Sequence, residues 1–335
     1  MTTLGSSGLG RIGAFHTETL ANLPRVDGLV VTDERPDVVT AVAARHGARP
    51  VYSVDELLNS GIDGVVVAAA TPAHAELTLA VIERGLPAFC EKPIAATASE
   101  SARVAEIVAR SGVPVQVGYQ RRFDAAFAAA KQSVDSGALG LLHTVRSTTM
   151  DPAPPPMQYL AGSGGIFRDC AVHDFDVLRW ITGQRALEVY ATGSVQGDPR
   201  FAEIDDVDTA VAVVTFENGT LGLVSAARYN ARGYDCRLEI HGFDDTVVAG
   251  WDAGAPMRNV DPHNTFPEGP AHRFFMDRFT DAFRAELAAF VDVTRGDAEP
   301  ACTVADAVEV AWMAEAATES LRTHAPVRSD EVMPR

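Results

Sequence analysis

Basic charge, cysteine and unbroken apolar runs are all scarce in this chain of 335 residues. Lys and Arg number 28 against 45 Asp and Glu, a formal net charge of −17, so the surface repels nucleic acid and anionic membranes and neither is an expected partner. Cys90, Cys170, Cys236 and Cys302 show no CxxC spacing, which speaks against a zinc knuckle or a disulfide framework. Buried, reduced thiols are expected, and no metal site. Although 47% of the residues are hydrophobic, no run approaches the roughly 18 to 20 residues of a membrane span. The N-terminus lacks the basic, apolar and small-residue succession of a secretory signal, so a cytoplasmic protein is expected.

The length suits two domains, each able to bury its own core. Over 1–120, short apolar runs at 2–7, 28–32, 64–70, 88–90 and 113–118 alternate with helical stretches at 11–22, 37–46, 74–84 and 98–111. That alternation predicts an α/β domain with a doubly wound parallel sheet. Ligands of such sheets lie across the carboxyl ends of the strands, which singles out Gly8, Asp33, Thr71-Pro72, Glu91-Lys92-Pro93 and Tyr119. Gly8-Leu9-Gly10-Arg11-Ile12-Gly13 fits a tight strand-to-helix turn whose bare backbone lets a pyrophosphate approach the positive helix end. Asp33, 20 residues past Gly13, is placed to accept hydrogen bonds from ribose hydroxyls, which argues for NAD. Arg35 could instead meet a 2′-phosphate, which leaves NADP open. The first strand, Thr2-Thr3-Leu4-Gly5-Ser6-Ser7, is small and polar where a strand covered on both faces calls for Val or Ile.

From 121 to 335 the texture changes to an α+β domain with an open, mostly antiparallel sheet. A helix is expected near 124–136, strands at 142–149, 186–193, 209–217 and 221–227 with an Asn218-Gly219 hairpin turn, and helices at 276–294 and 305–321 that could return to the first domain. Pro152-Ala153-Pro154-Pro155-Pro156 reads as a stiff loop, either a wall beside the substrate or a connector. Glu203, Asp205, Asp206 and Asp208 read as a solvated strand entry. A helix after Gly164-Gly165 is expected to carry Asp169, His173 and Asp176 on one face, with Val172, Phe175, Leu178 and Ile181 as its apolar stripe. An imidazole at His173 can take the proton of a hydroxyl as hydride leaves the carbon, and Asp169 can orient it or bind substrate. An ammonium at Lys92 can stabilise developing charge on the same oxygen. Each has a plain alternative, a surface helix face or a strand-end lysine. Their joint occurrence with a dinucleotide cradle points to hydride transfer.

These residues carry a resemblance to a family. Gly8 to Gly13 followed by Ala14-Phe15-His16, Thr71-Pro72, Glu91-Lys92-Pro93, Gly164-Gly165-Ile166-Phe167-Arg168-Asp169 with His173-Asp174-Phe175-Asp176, and the Phe216-Glu217-Asn218-Gly219 hairpin resemble the glucose-fructose oxidoreductase, inositol dehydrogenase and rhizopine-catabolism (Gfo/Idh/MocA) family over nearly the whole chain. Within the family, the inositol 2-dehydrogenases look most similar. The resemblance implies an N-terminal Rossmann domain and an α+β domain for substrate binding and association into a homodimer or homotetramer. It implies a catalytic set of Lys92, Asp169 and His173. The implied cofactor contacts are Gly8, Leu9, Gly10, Arg11, Ile12, Gly13, Asp33, Arg35, Thr71, Pro72, His74, Glu91, Lys92 and Gln120. Substrate contacts are implied at Lys92, Arg121, Asp151, Asp169, His173 and Tyr234, within the segments Gln120-Arg121-Arg122-Phe123-Asp124 and Gly233-Tyr234-Asp235. The implied activity is oxidation of a ring hydroxyl of myo-inositol or a related small polyhydroxylated substrate to a ketone with NAD. A sugar or aminosugar oxidoreductase, NADP-linked in one version, remains open. So do a glycosidase that recycles bound NAD and a non-catalytic dinucleotide sensor.

Overall fold

The computed structural model describes residues 1–332. The chain divides into two compact units, Met1–Phe123 with Asp281–Val308, and Asp124–Thr280 with the residues from Glu309 onward.

The first unit alternates strands and helices: β1 (Thr3–Ser7), α1 (Arg11–Ala21), β2 (Gly28–Thr32), α2 (Pro36–His46), β3 (Arg49–Pro50), α3 (Val54–Leu58), β4 (Gly64–Val67), α4 (His74–Glu83), β5 (Ala88–Glu91), α5 (Ala98–Ser111) and β6 (Val115–Gly118). The six strands are parallel in the order β3-β2-β1-β4-β5-β6. The direction of winding reverses between β1 and β4, so the crevice at their carboxyl ends is the natural ligand position of such a sheet. Local signals fix the helix limits well. Helix α5 keeps its expected bounds because the Thr97 side chain accepts from the Glu100 amide at 3.1 Å and Gly112 closes the helix at φ +68°. The two-residue β3 and five-residue α3 are too short to leave a periodic trace.

The polar first strand has a packing explanation. A side chain at Gly5 would stand 2.7 Å from Ile62 Cδ1 and 3.1 Å from Leu57 Cδ1, so the glycine lets these neighbours close over the sheet without shifting. Ser6 is fully buried, and its hydroxyl lies 3.3 Å from that of Thr17 on α1, which in turn donates to the Gly13 carbonyl at 2.8 Å. The serine therefore fastens the nucleotide helix to the strand, which satisfies a group that would be costly to bury alone. Leu4, Val31, Val66 and Phe89 of the sheet pack with Leu287, Phe290, Val291 and Val293 from the returning segment.

The second unit holds α6 (Ala125–Asp135), β7 (Leu142–Met150), α7 (Met157–Leu160), α8 (Ile166–Asp169), α9 (Val172–Thr182), β8 (Ala186–Ser194), α10 (Arg200–Glu203), β9 (Thr209–Phe216), β10 (Leu221–Ala227), β11 (Asp235–Gly242), β12 (Thr246–Ala249) and α11 (Phe275–Arg278). Helix α12 (Thr280–Thr294) belongs, from Asp281, to the first unit, and the division falls again within α13 (Val304–Thr323). Strand β13 (Val327–Arg328) and α14 (Ser329–Val332) complete the second unit. The helix expected at 276–294 is thus two helices, parted at Phe279. The sheet order is β12-β11-β7-β10-β9-β8-β13, antiparallel except for β7 with β10. Strand β9 shows period-two burial: Ala210, Ala212 and Val214 are buried while Val211 and Val213 are exposed. Among the described residues no helix is long and apolar enough to cross a membrane.

Candidate active site

Backbone shape builds the cradle of the first unit. Gly8 has φ +91°, and a Cβ there would collide with the Ala69 backbone beyond β4. A Cβ on Gly13 would strike the Gly8 carbonyl, whereas one on Gly10, at the cap of α1, meets nothing within 4 Å. Two glycines hold the turn tight and the third leaves open space at the start of a helix, the geometry that admits a pyrophosphate. Arg11 and Ile12 open α1.

Asp33 accepts from the Leu9 amide at 2.7 Å through Oδ2, and from the amide and Nε of Arg35, each at 3.0 Å, through Oδ1. Burial pushes the Asp33 carboxyl up, but the Arg35 side chain and the Leu9 and Arg35 amides outweigh it and hold the group below its usual range. Arg35 is therefore folded back onto Asp33. A fixed carboxylate next to the glycine turn suits the paired hydroxyls of NAD.

Thr71 and Pro72 form a 3-10 turn that leads into α4 at His74. His74 is 2% exposed, with Nδ1 2.7 Å from the Pro93 carbonyl and Nε2 3.0 Å from the Ala69 carbonyl. Carbonyls only accept, so both nitrogens must donate and the ring is an imidazolium. Burial pulls its pKa down, but Cys90 and the two carbonyls raise it from 6.5 to about 9. The ring thus ties the loop carrying Gly8's neighbour Ala69 to the loop carrying Lys92. The Lys92–Pro93 peptide bond is cis, and Lys92 is partly buried. Glu91 Oε2 accepts from the Lys92 amide at 3.3 Å, while Oε1 lies 2.5 Å from Nε2 of the buried His16 on α1. Gln120 and Arg121 are buried in a 3-10 turn after β6, and Arg122 donates to the Ala301 carbonyl at 2.9 Å.

In the second unit the candidate residues gather at one end of the sheet. Parallel pairing of β10 with β7 sets Ala227 beside Met150, and antiparallel pairing of β11 sets Asp235 beside Met150. Asp151, Arg228 and Tyr234 therefore stand at neighbouring strand ends. The Arg228 side chain, 2% exposed, reaches Asp169 Oδ2 at 2.7 Å through Nη2 and Asp151 Oδ2 at 3.3 Å through Nη1. Tyr159 on α7 donates to Asp169 Oδ1 at 2.8 Å, so the proline-rich loop delivers a hydroxyl to this carboxylate. Burial works against the Arg228 charge, while Cys170, Asp169 and Asp151 work for it, and the net direction is upward. Burial, then Asp151, pushes the Cys170 thiol well above its usual value. The sulfur therefore stays a neutral thiol, and the guanidinium is shared between the two carboxyl groups.

His173 sits in the first turn of α9, partly buried. Its neighbour Asp174 is fully buried and accepts from Ser147 Oγ at 2.5 Å and Thr149 Oγ1 at 2.8 Å, which pins this end of the helix to β7. Tyr234 is buried, its amide bonded to the His272 carbonyl at 2.7 Å and its ring edge-on to Phe279.

Several expectations need correcting. Asp169, His173 and Asp176 do not share one helix face. The Cys170 and Ala171 amides both turn back to the Ile166 carbonyl, at 3.0 and 2.9 Å, so α8 ends at Asp169 and α9 starts afresh, with Asp176 fully buried. Asp206 and Asp208 are not a solvated entry either. Both are buried: Asp206 accepts from the Ile166 and Val207 amides, and Asp208 from the Gln196 and Gly197 amides. Asp124 caps α6 and pairs with Arg278 at 2.6 Å, and Asp235 pairs with Arg237 at 2.8 Å. Arg228 and Tyr159 were missed. The only local signal for Arg228 was a lone cation straight after the Ala226-Ala227 strand end.

Comparison with known proteins places the chain in a family. Residues 5–119 match the oxidoreductase family with an NAD-binding Rossmann fold, and residues 127–248 match the Gfo/Idh/MocA C-terminal domain. A myo-inositol 2-dehydrogenase of Thermotoga maritima is 34% identical over 98% of this chain and 99% of its own. A scyllo-inositol 2-dehydrogenase (NAD(+)) of Bacillus subtilis is 32% identical over 96% of this chain and 95% of its own. The crystal structure of scyllo-inositol dehydrogenase from Lactobacillus casei with bound NAD(H) and scyllo-inositol has a TM-score of 0.89 at 26% identity, covering 98% of this chain and 99% of that one. With both sequence domains matched and relatives similar from end to end, the chain belongs to the Gfo/Idh/MocA family of oxidoreductases.

Proposed function

We propose that this protein oxidises a ring hydroxyl of a cyclic polyol, myo-inositol or a close relative, to the ketone with NAD. The observation that carries the reading is the presence of Lys92, Asp169 and His173 in a chain similar over its whole length to inositol dehydrogenases. The glycine turn and the ionised Asp33 fit the dinucleotide, with Leu9, Gly10, Arg11, Ile12, Thr71, Pro72, Glu91 and Gln120 as further contacts. NAD, when bound, supplies the hydride acceptor. His173 takes the hydroxyl proton, Lys92 holds the oxygen and stabilises the negative charge that develops on it, and Asp169 orients the reacting groups as a carboxylate. Arg121, Asp151 and Tyr234 hold the remaining hydroxyls. The chemistry requires Lys92 and His173 to address the same oxygen.

A homodimer or homotetramer fits the outer sheet face, where Tyr190, Val211, Val213 and Leu221 stay exposed. Four buried free thiols suit a reducing compartment such as the cytoplasm. The test is NADH formation across inositols, sugars and aminosugars, with NAD and NADP compared. Turnover of an inositol with NAD is expected, and Lys92→Ala should lower kcat at least about 100-fold while NADH still binds. No reduction with any polyol, glycoside cleavage without net NADH, or an unchanged rate in the Lys92 variant would each defeat the reading.

A further inference from the structure

The strongest unassigned feature is the buried guanidinium at the carboxyl end of β10. We propose that Arg228 is a positioning residue for the proposed proton transfer, because its two terminal nitrogens fix Asp169 as a carboxylate in one orientation and join it to Asp151 in a single ion-paired unit. This rests on the functional reading above.

The topology produces the arrangement. Strands β7 and β10 run in the same direction with Met150 opposite Ala227, so the next residue on each, Asp151 and Arg228, leaves the sheet at the same end. The backbone there is tied twice: the Asp151 amide donates to the Ala227 carbonyl at 2.8 Å and the Arg228 amide to the Asp208 carbonyl at 2.7 Å. A planar fork is needed to serve two carboxylates at once, at 2.7 and 3.3 Å, and a lysine ammonium on a flexible stem lacks that shape. Burial of the guanidinium strengthens its field on both carboxylates. Titratable groups on the elements around Asp169 and Arg228 include Asp151 past β7, Tyr159 on α7, Cys170 between α8 and α9, and His173 and Asp174 on α9. Cys170 is a neutral thiol, Asp174 is engaged by Ser147 and Thr149, and Arg228 places a positive charge directly against Asp169. With both Asp169 oxygens holding donors, one from Arg228 and one from Tyr159, the carboxylate has a set direction.

The consequence is a pH signature. Removing the guanidinium leaves its carboxylates uncompensated, which favours protonation of Asp169 and of the proposed base His173 alike, so the active ionisation state is lost at a higher pH. The experiment compares full-length wild type, Arg228→Gln and Arg228→Lys with NAD and the best polyol substrate of the wild type. It follows kcat and KM between about pH 5 and pH 10, with NADH affinity measured separately. Arg228→Gln should keep its NADH affinity, lose about 10- to 100-fold in kcat, and show the acid limb of kcat/KM moved up by about one pH unit or more. Arg228→Lys should return the acid limb most of the way while kcat stays below wild type, because the charge is restored and the fork is not.

A Gln variant whose acid limb coincides with wild type, whether its rate is kept or lost equally at every pH, would overturn the proposal. So would failure of both variants to fold, which would make Arg228 a residue of the core alone. A wild type inactive on every polyol and sugar would instead defeat the functional reading, and would do so before any variant is made.

Discussion

His74 shows how a single side chain can carry a pH dependence that its sequence context hides. Set between two carbonyls, it is protonated with a pKa of about 9, above the ordinary 6.5 of an unfolded histidine. A folded pKa raised above the unfolded one contributes stability that is full below about pH 6.5 and lost as pH rises through about 9. The contribution is at most about 3 kcal/mol. His74→Phe is therefore expected to unfold at lower urea concentration than wild type at pH 6, with the two converging above pH 9; parallel curves at both pH values would contradict the assignment. At this scale the sequence was readable where backbone geometry demands a residue type. Gly8, Gly13 and Asp33 are legible because φ, close approach and strand position each restrict the choice. Arg228 was not, because its partners lie 59 and 77 residues away and nothing local records an ion pair.

Among the elements, α9 is placed by its first turn. Asp174 is fully buried and held by two hydroxyls of β7, both on the inward face of that strand. Thr149→Val is expected to cost about 1.5 to 3 kcal/mol, since a buried carboxylate loses a donor. Thr148→Val, one residue away on the other face, should stay within about 0.5 kcal/mol. Urea denaturation of both variants checks the pair, and equal losses would mean that this anchor is not what fixes the helix. Periodicity identified the long elements but failed where a helix is interrupted: the break at Cys170 comes from two amides competing for the Ile166 carbonyl, which no spacing rule reports. The same limit hid the buried Asp206 and Asp208, since backbone amides brought from distant loops neutralise what reads as a solvated acidic run.

For the whole molecule, the first unit is discontinuous in sequence. Its core includes Leu287, Phe290, Val291 and Val293 from a segment that the chain supplies only after most of the second unit has been made. Phe290→Ala should destabilise the protein by about 3 to 5 kcal/mol, measured by chemical denaturation, and should weaken NADH binding. A loss below 1 kcal/mol would show that the returning helix is dispensable to that core. The sequence left this return open because an amphipathic helix records that it has a partner and not which one. The shared direction of β7 and β10 has a further result. The Asn218-Gly219 tip joining β9 to β10 lies at the opposite end of the strands from Arg228, separated from it by the full length of β10. A change in length at that tip, where a side chain on Gly219 would meet nothing within 4 Å, is therefore expected to leave the Arg228 rim undisturbed.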